Sequence, residues 1–411
     1  MPGSNQFDFA LVVDGWFDGE RLHRDGPSTF VVRGGRIEDI VAGDHAQPLQ
    51  RQAMPVERGA FLMPGLVDAH VHLFLDGAPT DPTERAAHLR QPAQQLADAA
   101  RASARQALAC GVTVVRDAGD RHGINHLVRA EAIDPASALP RVRSGGRGIK
   151  RASRYGAFMA GDVADSDDIR RAVDELARDC DEIKMILTGI IDFDAGAVTD
   201  EPQFSLEETR VAVEAARAAG RKTFAHCSGS KGLAIAARAG VGSIEHGFFM
   251  DRATLSLMAD NDVAWTPTFC PVHFQWAHPE AVGWSPNTVG HLRRILDEHA
   301  RHLLIADELG VRLLLGTDAG SMGVEHGRAV WDEIDRYLEA GLSLAQALTA
   351  ATSAARRHFG FEHALLGPGA EFDALLLGRS PFDDVTALRQ PLRVWRGATE
   401  QTEGLAVGAS R

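Results

Sequence analysis

The sequence predicts an α/β fold, a (β/α)8 barrel of the TIM type carrying a small β-sandwich domain built from both termini. Three observations predict it. A unit of helix, glycine and short β-branched strand recurs through the middle of the chain. Both ends read as short strands punctuated by turns. Polar residues sit where the middle strands end.

The N-terminal stretches "FALVVDGWFDG", "STFVVRGGRIEDIVAG" and "GAFLMPG" carry Asp-Gly and Gly-Gly pairs that suit β-hairpins. "GAEFDALLLGRSPF" and "PLRVWRGA" return to that style near the other end. Residues 1–62 and 366–411 are therefore expected to form one β-domain, with residues 63–365 inserted as the barrel.

Within the insert the unit appears as "QALACG/VTVVRDAG", "EAARAAG/RKTFAHCSG", "AARAG/VGSIEHG" and "ADELG/VRLLLGTDAG". Glycine just past a helix is the expected left-handed stop, and the apolar run after it fits a strand covered on both faces. Ser205 with Glu208 predicts a capping box before "TRVAVEAARAAG". "RVRSGG", "EIKMIL" and "VAWTPTF" supply further strands. Counting "LVDAHVH" first gives eight in about 255 residues, and alternating strands and helices imply a parallel sheet. The other candidate, an open doubly wound sheet, is disfavoured because no GxGxxG follows the first strand.

Composition narrows the function. The 411 residues are 45% hydrophobic, enough for one large core and a smaller second one. A net charge of −13 argues against nucleic-acid binding, which needs a basic surface. The first fifteen residues lack a basic segment leading into an apolar one, so no signal peptide is expected, and no run is long enough to span a membrane. Cys110, Cys180, Cys227 and Cys270 are scattered without CxxC spacing, which fits buried thiols in a reducing cytoplasm. The expected partners are a small-molecule substrate and further copies of the chain, a homo-oligomer.

In "PGLVDAHVHLFLDG" two histidines stand on one apolar strand. Side chains alternate across a strand, so His70 and His72 share a face, roughly 7 Å apart by strand rise. Two imidazoles so placed can converge on one cation. Lys184, His226, His246 and Asp318 also fall at inferred strand ends, where barrels of this kind build their sites. Each has an ordinary reading alone: Lys184 as the ion-pair partner of Glu182, His246 as a helix cap, Asp318 as an N-cap. Together, in strands one, four, five, six and eight, they point to a site.

"FLMPGLVDAHVH", "GVTVVRDAGD", "EIKMILTG", "AGVGSIEHGFFMD", "LLLGTDAGS" and "EAGLSLAQALTAATSAARRHFG" resemble the amidohydrolase superfamily over nearly the whole chain. Within it, the resemblance is to the imidazolonepropionase-related branch that includes prolidase-like dipeptidases and carboxypeptidases. It implies a binuclear centre, most often of zinc. His70, His72 and Asp318 would hold the more buried ion and His226 and His246 the other. Lys184, carboxylated by CO2, would bridge them. It further implies a bridging water acidified by two cations, with Asp318 accepting its proton and passing it to the leaving nitrogen.

The implied reaction is hydrolysis of an amide or peptide-like C–N bond in an N-acyl amino acid, dipeptide or related amide. The alternative is a urea, carbamate or cyclic amide, xenobiotics included. Lys184 argues for two metals, and so against imidazolonepropionase itself and deaminases. A non-enzymatic scaffold is disfavoured because all six ligands are present.

Where dipeptidase-like members often carry Gly-Gly-His-Gly, this chain reads "GGRGIKRASRYGAFMAG". Tyr155 stands near the place of that histidine, among Arg147, Lys150, Arg151 and Arg154. Tyr155, Arg154 and, beyond strand seven, His273 are the expected substrate contacts. A solvated basic loop is the competing reading. Trp265 is expected in the core. Arg116 and Asp117 are expected to support the site or form an ion pair, and His122, His126 and His326 are expected at the surface.

Overall fold

A computed structural model of the chain describes residues 8–401. The outermost residues of the expected β-domain, 1–7 and 402–411, lie outside that range. The two ends of the chain share one eight-stranded sheet. Its order is Thr399–Glu400, Pro391–Arg396, Ala374–Leu377, Val56–Pro64, Phe9–Phe17, Ser28–Arg33 and Arg36–Ala42, with Leu22–His23 on the edge of Phe9–Phe17. Phe9–Phe17 and Val56–Pro64 run parallel, and the other pairs along this path are antiparallel. Alternation gives the sheet two apolar faces, and Phe9–Phe17 departs from it near its end, where Trp16 joins the face of Leu11 and Val13 and Phe17 joins the other. Leu11, Val13, Phe30, Leu62, Leu376 and Trp395 form a separate cluster on one face. Phe17, Phe61, Met63, Leu375 and Leu377 on the other join the main core.

The chain passes from this sheet into the parallel strands through Pro64 and Gly65. A Cβ at Gly65 would stand 2.3 Å from the Thr113 side chain, so only glycine fits there. The parallel strands are β1 (Leu66–Val71), β2 (Val112–Asp117), β3 (Arg141–Ser144), β4 (Glu182–Ile186), β5 (Lys222–Cys227), β6 (Ser243–His246) and β7 (Ala264–Thr266). The first three pair in order, and β4 to β7 pair in order in a second sheet that begins with Ala160–Asp162 and Gly148–Lys150. Helices between the strands cover them. Gly111, Gly220, Gly240 and Gly310 all have φ between 70° and 91°, as helix stops read from sequence should. The capping box is formed: Ser205 Oγ accepts from Glu208 N at 3.2 Å, and Ser205 N donates to Glu208 Oε2 at 2.9 Å.

One element differs from expectation. "VRLLLGTDAG" is not a continuous strand; only Leu313 and Ala319 make bridges, to Trp265 and Val71. Close packing bends the segment: a Cβ on Gly316 would lie 2.5 Å from Thr266 Cγ2 and 2.9 Å from the backbone nitrogen of His70. The segment nevertheless touches both neighbouring strands. Trp265 N donates to Arg312 O at 2.9 Å, Ala69 N to Leu315 O at 2.8 Å, and Asp318 N to His70 O at 2.7 Å. At the other seam, Asp181 N donates to Ser144 O at 2.9 Å. All four cysteines are buried free thiols. Among the described residues, no helix is long and apolar enough to cross a membrane.

Candidate metal centre

The C-terminal ends of the parallel strands converge on one polar cluster. Asp68, His70 and His72 alternate onto the same side of β1, as period two requires. His70 and His72 are buried, and one ligand atom from each lies within 4.8 Å of the other and of an Asp318 carboxylate oxygen. Asp318 Oδ1 stands 3.6 Å from Nε2 of each imidazole. The rings of the remaining histidines continue the cluster. His246 lies 5.0 Å from His70 between centroids, and His226 lies 4.5 Å from His246.

Lys184 enters from β4 and is fully buried, its Nζ 4.9 Å from the centre of the Phe224 ring. A Cβ at Gly148 would sit 2.9 Å from Lys184 Cγ, so glycine at 148 makes room for it. Glu182, the ion-pair partner considered for this lysine, instead faces Arg116, Arg143 and His358.

Three buried atoms of the cluster have no hydrogen-bond partner: His70 Nε2, His226 Nε2 and Lys184 Nζ. A buried polar atom left unpaired costs free energy, so such a group needs a reason. Two imidazoles and a carboxylate fit the donor set of a divalent transition metal, and the orphaned imidazole nitrogens are atoms that would bind it. Burial lowers the pKa of all four imidazoles, and the Lys184 ammonium adds to the effect. His72 and His226 reach about 3, and His70 and His246 fall well below the ordinary value. The rings are therefore neutral at pH 7, the form that ligates. Burial also raises the Asp318 carboxyl to about 6 and pulls Lys184 down to about 8, although Glu245 and Asp318 oppose the fall in the lysine.

The non-ligating ring nitrogens are held. His70 Nδ1 meets Glu245 Oε2 at 2.7 Å, His72 Nδ1 meets the Gly119 carbonyl at 3.1 Å, and His246 Nδ1 meets Thr268 Oγ1 at 2.8 Å. Carboxylate or carbonyl partners of this kind fix which nitrogen faces a metal. Glu245 is itself held by Arg116 Nη2 at 2.7 Å. Asp68 accepts from Thr317 Oγ1 at 2.6 Å and from the backbone of Thr317 and His70, tying β1 to the Asp318 turn. Asp117 accepts from Leu73 N and Gly119 N at 2.9 Å, so it supports the loop that carries the His72 partner.

His246, Thr268 and Asp318 all have φ between 50° and 68°, a left-handed backbone costly for residues other than glycine. At His246 it ends the alternation of β6, so that Glu245 and His246 both reach the cluster.

Glu245, Asp68 and Thr268 carry no motif of their own; only alternation on β1 and the adjacency of Glu245 to a candidate ligand hinted at two of them.

Tyr155 lies beside the cluster, its ring 5.2 Å from that of His226. It lines a cavity of about 200 Å3 with His226, His246 and Asp318. Burial raises its phenol pKa. Arg154 and His273 are placed elsewhere. Arg154 Nη2 donates to the Glu201 carbonyl, and His273 contacts Arg336 in a separate cavity of about 610 Å3. His273 sits on the helix Cys270–Ala277, which turns its side chain from the strand ends toward the helix Arg328–Ala340. Trp265 is buried and donates to the His246 carbonyl at 2.9 Å. His122 is exposed and His126 half-buried. His326, expected at the surface, is buried, because its Nε2 reaches the Leu75 carbonyl at 3.1 Å.

Comparison with known proteins gives a consistent picture. The model of the amidohydrolase family matches residues 61–400. An uncharacterized protein of Mycobacterium tuberculosis is 30% identical over 342 residues, 83% of this chain and 85% of that one. Ochratoxinase of Aspergillus niger is 26% identical over 437 residues, covering 94% of this chain and 84% of its own. Among solved structures, a Xaa-Pro dipeptidase with methionine bound in its active site superposes with a TM-score of 0.81 at 24% identity, over 96% of this chain and 99% of that one. That likeness is one of fold.

Proposed function

The chain belongs to the amidohydrolase family, and from that premise we propose that it is a metal-dependent hydrolase of an amide or peptide-like C–N bond. The observation that carries this reading is the buried convergence of His70, His72 and Asp318 with the unpartnered nitrogens of His70, His226 and Lys184. His70, His72 and Asp318 would hold one divalent ion, zinc in the first instance. His226 and His246 would hold a second, in a closed (β/α)8 barrel with a β-sandwich at its side. Lys184, its pKa pulled down to about 8 by burial, would as the free amine take up CO2 with loss of its proton and so supply carboxylate oxygens to the same site. When bound, such ions polarise a carbonyl and bring the pKa of water toward 7.

The chain's own residues do the rest. Glu245, Gly119 and Thr268 fix the imidazoles. Asp318, steadied by Ser321 Oγ at 2.9 Å, takes a proton from the attacking water and delivers it to the leaving nitrogen as the C–N bond breaks. Tyr155 borders the substrate. The free thiols suit a reducing cytoplasm.

The test is metal analysis of purified protein with a screen of N-acyl amino acids, dipeptides and aryl ureas. About two equivalents of metal, and turnover lost on chelation and restored on reloading, are expected. Protein that holds no metal, or that hydrolyses equally well after chelation, refutes the reading.

A further inference from the structure

Resting on that hydrolytic reading, we infer that the half of the substrate lying away from the metal ligands is neutral and apolar, a small aromatic or branched group without a free carboxylate. The cavity over the cluster is walled by Tyr155, Ile190, Ile191, Phe193, Phe248 and Val272, and its remaining polar lining is neutral apart from the candidate ligands. Among the described residues lining it, none is lysine or arginine. At about 200 Å3 it falls below the roughly 300–1,000 Å3 of pockets for drug-sized ligands, so it suits one small group.

The basic loop nearby does not supply the missing cation. Lys150 Nζ pairs with Asp162, Arg151 with Glu208 and the Gln203 carbonyl, and Arg154 with the Glu201 carbonyl, while the exposed Arg147 lies along Gly161 and does not line the cavity. Arg85, the arginine whose charge reaches Asp318, donates to the carbonyls of Asp76, Pro79 and Gly320. The loop that contributes Ile190 and Phe193 is itself acidic. Asp192, Asp194 and Asp200 are exposed on it, and the Asp200 carboxylate lies against Gly189 at the cavity edge. A substrate carboxylate would meet apolar walls and like charge, and a buried anion without a partner is penalised.

Ile190 gives the wall a purpose. It is 60% exposed, unusual for a large apolar side chain, and it stands on the cavity rim. An apolar substrate group would cover it.

The experiment compares N-acetyl-L-phenylalaninamide with N-acetyl-L-phenylalanine, which differ in one neutral or ionised group. Calorimetry on Lys184→Met protein reads binding with no turnover and no buried ammonium to attract the acid. The amide is expected to bind at least about tenfold tighter, about 1.4 kcal/mol. Adding Ile190→Lys is expected to bring the pair within about threefold by giving the acid a partner. In wild-type, metal-loaded protein the same preference is read as a ratio of kcat/KM, which keeps the test open if the lysine variant does not fold. Equal or tighter handling of the acid overturns the inference, and so does failure of the amide to bind. If the hydrolytic reading is what fails, the metal-loaded protein turns over no amide while the binding preference stands.

Discussion

Arg116 and Lys184 are both buried cations on the parallel strands, and the protein treats them in opposite ways. Arg116 donates to the Ala69 carbonyl at 2.7 Å, Ser243 Oγ at 3.1 Å and Glu245 Oε1 at 2.7 Å, and faces Glu182. Its guanidinium lies 4.4 Å from the centre of the Phe224 ring. Lys184, over the same ring, has no hydrogen-bond partner at all. A buried charge that is fully paired holds a structure together; one left without a partner is kept for something that binds there.

The sharpest break of this contrast is Lys184→Ala. Turnover should vanish and metal content should fall, while urea unfolding stays cooperative; short-chain carboxylates added to the buffer should restore part of the activity. Full wild-type turnover in the variant would put Lys184 in the same class as Arg116. Asp318→Asn comes next, with an expected loss of roughly 10²–10⁴ in kcat; a change confined to KM would remove its role in proton transfer.

Arg116→Met should act on stability instead. It leaves Glu245 and Glu182 buried without their main partner, at a cost of about 3–5 kcal/mol in denaturant unfolding. A fully stable variant would mean the network is hydrated rather than structural. Glu245→Gln joins the two regions, because Glu245 touches both Arg116 and His70. A loss of about 10–100-fold in metal affinity is expected from the weakened hold on the His70 ring, measured by competition with a chelator.

The mildest effect is that of pH on the metal-free protein. The folded pKa of His72 and of His226 is about 3, against about 6.5 for an exposed imidazole. As pH falls below 6.5 the unfolded chain takes up protons that the folded chain refuses. Stability is therefore full above 6.5 and is lost progressively toward 3. The Tm of metal-free protein should fall steadily from pH 7 to 5, and reloading with metal should raise Tm without removing that fall. A flat profile in metal-free protein would mean the imidazoles are open to water.

What the sequence disclosed follows from the same contrast. His70, His72, Lys184, His226, His246 and Asp318 were legible because strand ends are countable and polar residues stand out against apolar runs. Glu245 and Asp68 were not, because their partners are 175 and 249 residues away in sequence and only the folded ring brings them together. The helix stops at Gly111, Gly220, Gly240 and Gly310 were legible because they are local. The eighth strand was not: its bend arises from Gly316 packing on Thr266 and His70, a contact no periodicity encodes. Arg154 stands out in sequence by its place in the loop that replaces Gly-Gly-His-Gly and His273 by its nearness to strand seven, but the loop and the helix that bear them point each side chain elsewhere.

The junction at Pro64 and Gly65 bears on how the protein is made. The strand that leads into β1 is flanked on one side by Phe9–Phe17, synthesised early, and on the other by Ala374–Leu377, synthesised more than 300 residues later. During translation, then, Val56–Pro64 waits with one edge open until nearly the whole polypeptide has emerged. Completion of that β-sheet is a late event in the life of the molecule, and the strand that feeds into β1 is held on both edges only then.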